Sequence, residues 1–186
     1  MPQPKFKDTL AHRILSESQV LTMIALEPNE RNRALIRFLY ATGARVYEVC
    51  GLTWQDVRSS PEGKGMATLY GKGSKTRTVV FSAETWEIVR GLHQGSRPDF
   101  PVFLSRKGGH LTPSHVLKIV ATAGKRAGIE GKVSPHWLRH SHASHALNRG
   151  VPIHLVQATL GHSSIETTGR YLHANPSDSS GLHLPV

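Results

Sequence analysis

Four short stretches of this sequence combine residue types and spacings that could hold or transfer a phosphate. His136-Trp137-Leu138-Arg139-His140 puts two imidazoles four apart and a guanidinium three after the first, so on a helix all three share one face. The His spacing suits a metal, but the zinc motif H-E-x-x-H needs a glutamate where Trp137 stands. The permanent charge of Arg139 would also repel a cation. An arginine and a histidine on one face instead make a phosphate clamp, a planar fork of donors beside an imidazole proton. Arg45 follows Thr42-Gly43-Ala44 and opens a short helix, with Glu48 three residues on to hold its side chain. A cation there opposes the helix dipole, which makes sense if an external anion arrives. Gly71-Lys72-Gly73-Ser74-Lys75-Thr76 looks phosphate-friendly, yet it is no P-loop, because Gly73 stands where Ser or Thr should follow the lysine. Nor is it a dinucleotide fingerprint, since Thr76 replaces the third glycine and no helix follows. Leu160-Gly161-His162 ends a helix, and Tyr171 comes nine residues after His162. Taken singly, each stretch also has a plain structural reading: a solvated helix face, a surface Arg–Glu pair, a β-turn, a packing tyrosine.

The elements that must position these groups can be read from caps and periodicity. Ser16-Glu17-Ser18-Gln19 has the capping-box form and predicts a helix to about Glu27. A second helix is expected over Asn29–Thr42, with Leu35, Ile36, Phe38 and Leu39 on its apolar face and Gly43 ending it. A third, short helix covers Arg45–Gly51. Leu52–Val57, Met66–Tyr70 and Thr76–Phe81 are β-type runs separated by turn residues and predict a small three-stranded antiparallel sheet. Helices resume over 83–94, 113–127, 135–149 and 152–160, two of them with Pro at the first position after a Thr or Ser cap. Ser163 or Ser164 can cap a further one. The fold class is therefore mainly α with a small three-stranded antiparallel β-sheet (α+β). Residues 1–15 read as a loose lead-in, 16–175 as one domain, and 176–186 as an extended tail with Leu182 and Leu184 able to dock.

The chain has 186 residues, enough for a single domain with a core. Its 23 Lys and Arg against 13 Asp and Glu give a net charge of +10, the footprint of a polyanion binder. A membrane surface fits less well, because no helix is basic on one face and apolar on the other. No apolar run is long enough to span a bilayer, and Met1–Leu10 lacks the apolar stretch of a secretory signal. One cysteine, Cys50, excludes an internal disulfide and fits a reducing cytoplasm.

In order and spacing together, the stretches resemble the tyrosine recombinases (phage integrases), in particular the Xer-like members. Thr42-Gly43-Ala44-Arg45-Val46-Tyr47-Glu48 is similar to their T-G-x-R-x-x-E box, Gly71-Lys72-Gly73-Ser74-Lys75 to their β-hairpin lysine motif, and His136-x-x-Arg139-His140-Ser141 to H-x-x-R-H-S. Leu160-Gly161-His162-Ser163-Ser164 resembles L-G-H-S, and Thr167-Thr168-Gly169-Arg170-Tyr171 resembles T-T-x-x-Y. The resemblance runs from about Ser16 to Asn175 and implies the tyrosine recombinase catalytic-domain fold. It implies that Tyr171 attacks a scissile phosphate, giving a 3′-phosphotyrosine and a free 5′-hydroxyl. Arg45 and Arg139 would bind the non-bridging oxygens, Lys72 would be the general acid, His136 the base or acid for the tyrosine, and His162 a hydrogen-bond donor to the phosphate. Lys75, Arg77 and His140 are expected to contact DNA, with Lys75 an alternative to Lys72. The chemistry needs positioning and charge neutralisation, which two arginines can supply; no cofactor, metal or ATP is expected.

The resemblance further implies double-stranded DNA as partner and self-association, as a tetramer on DNA, through the tail. It also admits accessory DNA-bending proteins, no membrane, and a cytoplasmic, nucleoid-associated protein of a bacterium, phage or mobile element. Family members carry a separate N-terminal helical clamp domain; with only residues 1–15 ahead of the matching region, that domain is expected to be absent. Two readings compete on the same residues: a type IB topoisomerase-like enzyme, and a DNA-binding module of this fold without activity. A metal-dependent hydrolase built on the histidines is a third.

Overall fold

The structure, a computed structural model, describes residues 10–71, 73 and 75–171. The chain forms α1 (Glu17–Ala25), α2 (Glu30–Thr42), α3 (Val46–Gly51), β1 (Val57–Ser59), β2 (Gly65–Tyr70) and β3 (Thr76–Phe81). It continues through α4 (Ala83–Arg90), α5 (Pro113–Arg126), α6 (Pro135–Asn148), α7 (Ile153–Leu160) and α8 (Ile165–Gly169). The mainly helical class and the three-stranded antiparallel sheet, in the order β1-β2-β3, are as expected. The caps explain most helix starts. Ser16 and Gln19 exchange side chain–backbone bonds at 3.1 and 2.9 Å, closing the capping box of α1. Asn29, Ser82, Thr112 and Ser164 accept from the first turns of α2, α4, α5 and α8.

Two expectations are corrected. The first strand was expected at Leu52–Val57, but Trp54–Asp56 is a 3-10 turn and β1 begins only at Val57. The Asp56 carboxylate accepts from both the Thr53 amide (3.0 Å) and its hydroxyl (2.6 Å), which winds the chain. Backbone groups of Leu52, Trp54 and Gln55 then pair with the 98–102 loop rather than with β2. Alternation of Leu52, Trp54 and the polar residues between them imitates a strand because Trp54 is buried from a turn instead. The second correction concerns the lead-in. Leu10–Arg13 forms a 3-10 turn, Leu15 is buried, and the Leu15 amide donates to Ser141 Oγ of α6 at 2.8 Å. The earlier part of the lead-in and the tail 176–186, with Leu182 and Leu184, lie outside the described residues.

Helix α2 is the axis of the core. Leu35, Ile36, Phe38 and Leu39 are fully buried, and Phe38 meets Phe81 of β3 and Phe103 edge-on at 5.3 and 5.6 Å. A second, smaller cluster joins Ala143 of α6 and Val156 and Leu160 of α7 to Tyr171, with Leu10 and Ile14 packed on it. The chain returning from α7 is thereby fixed against α6, which brings the last two sequence motifs beside the first. Among the described residues no helix is long and apolar enough to cross a membrane.

Candidate active site

The site is assembled where α2, α6 and α7 end or begin. Gly43 closes α2 in the left-handed conformation, φ +60°, and the tight turn leaves no room for a side chain: a Cβ there would lie 2.5 Å from Leu160 Cδ2. The last carbonyls of a helix have no partner within it and carry its negative dipole end. Arginines fill that role twice. Arg139, on α6 and 5% exposed, donates to Gly43 O at the end of α2 and, at 2.7 Å, to Leu160 O at the end of α7. Arg45, ahead of α3, donates to the adjacent carbonyl, Gly161 O, at 3.2 Å. The two guanidinium groups are thus anchored on neighbouring carbonyls of one turn. Each spends two side-chain donors on the protein, Arg45 using its second on Glu48, and so keeps three of its five for another acceptor.

Behind them lies a buried carboxylate. The Glu48 side chain is 2% exposed and accepts from Arg77 at 2.5 and 2.9 Å, from Arg45 Nη1 at 3.1 Å and from the Arg45 amide at 2.7 Å. Burial pushes its pKa up, but the Arg77 and Arg45 bonds and charges outweigh burial and hold it below the usual carboxylate range. Arg77 was expected to face DNA; the structure turns it inward. It shares the core side of β3 with Val79 and Phe81, donates to Thr159 O at 2.7 Å, and keeps 13% of its side chain exposed. The period-2 pattern of β3 carried that signal.

The histidines divide into three environments. His140 was expected against DNA, but its Nδ1 lies 2.5 Å from the Tyr171 hydroxyl, which is itself on a 5%-exposed side chain. His136, expected to serve the tyrosine, is exposed and lies against His140, ring centroids 6.3 Å apart. His162 Nδ1 is 2.9 Å from the buried Thr168 hydroxyl. Burial, then the nearby His136, Arg13 and Arg139, depress His140 to about 4. Burial followed by Arg139, Arg45 and Arg77 depress His162 to about 4, and burial with Arg139 lowers His136. Burial raises Tyr171. At neutral pH the Tyr171–His140 contact is therefore phenol against neutral imidazole. Burial and the two neighbouring guanidiniums also lower Arg139, to about 10, so this cation sits where like charge already accumulates.

Lys72 lies outside the described residues. The hairpin turn that carries it starts next to the arginine site, since a Cβ on Gly71 would be 3.5 Å from Glu48 Oε1 and 3.9 Å from Arg45 Nη1. Lys75 is exposed at the foot of that turn, its carbonyl accepting from Gly71. The structure thus gathers Arg45, Arg139 and His162 in one place and Tyr171, His140 and His136 beside it. Sequence reading missed Thr168, the Glu48–Arg77 pair and Arg13, which has no motif to announce it. Among the described residues, no three His, Cys, Asp or Glu side chains are grouped to hold a metal.

Comparison with known proteins follows the same lines. The chain is 39% identical over 156 residues to tyrosine recombinase XerD of Corynebacterium glutamicum, covering 81% of this chain and 50% of that protein. It superposes on the crystal structure of XerA recombinase with a TM-score of 0.77 and 30% identity, over 95% of this chain and 62% of that one. On XerH site-specific recombinase bound to its difH substrate the TM-score is 0.74 with 27% identity, over 86% of this chain and 50% of that one. The chain spans about half the length of the curated XerD and XerC relatives it matches. The Phage integrase family model matches residues 13–178, the whole of the region read as one domain, and the chain belongs to that family.

Proposed function

We propose that the chain is the catalytic domain of a site-specific DNA recombinase that breaks and rejoins strands through a 3′-phosphotyrosine, without metal or ATP. The observation that carries the reading is the pairing of two anchored, donor-rich guanidinium groups with a buried tyrosine hydroxyl already bonded to an imidazole. A scissile phosphodiester fits between them. Arg45 and Arg139 offer their remaining donors to its non-bridging oxygens, bidentate geometry that suits phosphate and the charge of the transition state. His162, oriented by Thr168, adds a neutral donor. XerH site-specific recombinase bound to its difH substrate supplies the precedent for DNA as partner.

The step balances with the chain's own groups. Tyr171 Oη forms the bond to phosphorus, its proton passes to an imidazole, and the P–O5′ bond breaks with Lys72 protonating the leaving oxygen. His140 holds the hydroxyl in the resting arrangement. His136, exposed at the cleft and stacked on His140, takes the base or acid role once Tyr171 turns toward the phosphate. A phenol with a raised pKa is a poor nucleophile by itself, so cations and a base must act at the moment of attack. Rejoining is the reverse, attack of a 5′-hydroxyl on the phosphotyrosine, so no external energy is needed. Lys75 belongs to the DNA-facing turn. Tetramer formation through residues 176–186 and DNA-bending accessory proteins rest on the family likeness.

The test is supercoiled plasmid in EDTA without ATP, with wild type beside Tyr171→Phe. Expected are nicked or relaxed DNA and protein that stays on the DNA after SDS, both abolished in the variant. Equal cutting by both proteins rules out Tyr171 as the nucleophile; activity lost in EDTA alone rules out the metal-free step.

A further inference from the structure

The arginine site opens on a hollow of about 230 Å³, bordered by Arg45 and Arg139. Apart from these two guanidiniums and His136, its walls are apolar or aromatic, with Tyr47 of α3 and Pro113 and Leu117 of α5 among them. No carboxylate lines it among the described residues. Two of the walls are large side chains that the core does not use. Tyr47 is 75% exposed, while Glu48 and Val49, next on α3, are buried. Leu117 is 43% exposed, one position off the buried stripe of α5 made by Val116, Val120, Ala123 and Gly124. A single exposed Leu or Tyr needs no explanation. Two on separate helices, lining one hollow beside two cations, mark a binding surface.

We propose that this hollow seats the deoxyribose next to the scissile phosphate, with the Tyr47 ring and Leu117 as its walls. The proposal rests on the reading of the arginine site as the scissile-phosphate site. Covalent continuity decides the occupant. A phosphodiester has a sugar bonded to it on either side, so a phosphate held by Arg45 and Arg139 lays a sugar at the adjoining hollow. The bases of a duplex are stacked in its interior, whereas the sugars lie at the surface and can be reached without unpairing. The chemistry of the sugar also matches the walls. Deoxyribose carries a methylene at C2′, which apolar side chains can cover. A ribose would bring a hydroxyl there, and burying it without a partner costs free energy. Tyr47 and Leu117 therefore hold the strand against the guanidiniums and favour DNA over RNA at that nucleotide.

The experiment measures binding of the 186-residue protein, carrying Tyr171→Phe, to a 30-base-pair DNA duplex of arbitrary sequence across a salt series, and to an RNA duplex of the same sequence. Apolar contacts release no counterions, so they change affinity without changing the slope of log K against log salt. Tyr47→Ala and Leu117→Ala are each expected to weaken DNA binding about fivefold at every salt concentration, with the slope unchanged. Tyr47→Phe keeps the ring and should bind as the parent does. The two alanine variants should weaken RNA binding by no more than about twofold, so that the preference for DNA narrows. Arg45→Gln should instead lower the magnitude of the slope by about 0.9. Leu21→Ala, on α1 and 58% exposed, is the control and should change nothing. If Arg45→Gln lowers the slope but neither alanine variant weakens binding, the sugar site is refuted and the proposed function stands. Equal losses on DNA and RNA would refute the choice of deoxyribose. If the parent protein does not bind the DNA duplex at all, both readings fall. Sedimentation of the free protein is the second arm. Self-association that Tyr47→Ala abolishes while DNA binding stays unchanged would make this face a contact between copies of the chain and overturn the assignment.

Discussion

Glu48→Gln tests whether the arginine site is held together by one buried charge. Its carboxylate takes four bonds, two from Arg77, whose side chain is only 13% exposed, and two from Arg45, whose side chain is 39% exposed. Gln keeps the shape and about half of the acceptor capacity but removes the negative charge. Arg45 can turn toward water; Arg77, bonded to Thr159 O beneath the turn, cannot, and Arg139 stands nearby. Removing one partner of a buried pair costs roughly 3–5 kcal/mol, because the other charge is left without compensation. That is a large part of a total stability of about 5–15 kcal/mol. At roughly 2–4 °C per kcal/mol for a chain of this size, Tm should fall on the order of 10 °C. The discriminating measurement is a cycle with Arg77→Met, by urea unfolding at pH 7. The double variant is expected to be less destabilised than the sum of the singles by at least about 2 kcal/mol, since removing both charges removes the uncompensated one. Additive losses, or a Glu48→Gln protein within about 1 kcal/mol of wild type, would refute the idea that this carboxylate neutralises the cluster.

Three further outcomes follow from the geometry. Gly43→Ala forces a side chain into φ +60° and within 2.5 Å of Leu160 Cδ2, so a loss of more than about 2 kcal/mol is expected by denaturant unfolding. Thr168→Val is nearly isosteric but leaves His162 Nδ1 without its hydroxyl partner; strand cleavage should fall at least about tenfold while Tm changes by only a few degrees. For acid stability, His140 and His162 sit at about 4 in the folded protein against an ordinary 6.5. The unfolded chain therefore binds protons that the folded chain refuses, and stability, flat above pH 6.5, is lost as pH falls toward 4. Discounted for the partial solvent access of both rings, each contributes about 1 kcal/mol. Replacing both with Asn should make that limb shallower, with His136, His142 and His145, which burial also lowers, keeping the remainder; an unchanged limb in urea titrations would contradict the assignment.

The sequence made the helices legible because their caps are local: Ser16, Asn29 and Thr112 act within three residues of themselves. It was misleading at Leu52–Val57, where burial of Trp54 came from a turn closed by Asp56, and alternation cannot tell the two apart. At the site, the order of the motifs identified which residues gather but not who touches whom. That His140 rather than His136 reaches Tyr171 depends on how the chain after α7 returns across α6, a long-range matter. Arg77 shows the opposite case. Its place on the inward face of β3 followed from period-2 counting, yet its positive charge made a DNA-facing role look natural, and only the buried Glu48 shows why the inward place is tolerable.

The same contrast explains how three arginines share one small volume. Arg77 is neutralised by Glu48, Arg45 draws partly on that carboxylate, and Arg139 has only carbonyl partners. The most buried of the three cations is thus bonded only to dipoles, with the Glu48 charge acting on it from a distance. Dipoles at two helix ends fix its direction without cancelling its charge. A formal counter-charge on Arg139 would bind more tightly but compete with any arriving anion; the helix-end carbonyls position the guanidinium and leave its charge for the ligand. Introducing such a competitor is therefore a direct test. Ala44→Asp, beside Gly43 in the turn that already holds Arg139, should weaken duplex binding several-fold, and more strongly at low salt than at high salt, where screening shortens the reach of the new charge. Equal weakening at all salt concentrations would mean that the substitution acts by distorting the turn, and that the charge left on Arg139 is not what the site offers to DNA.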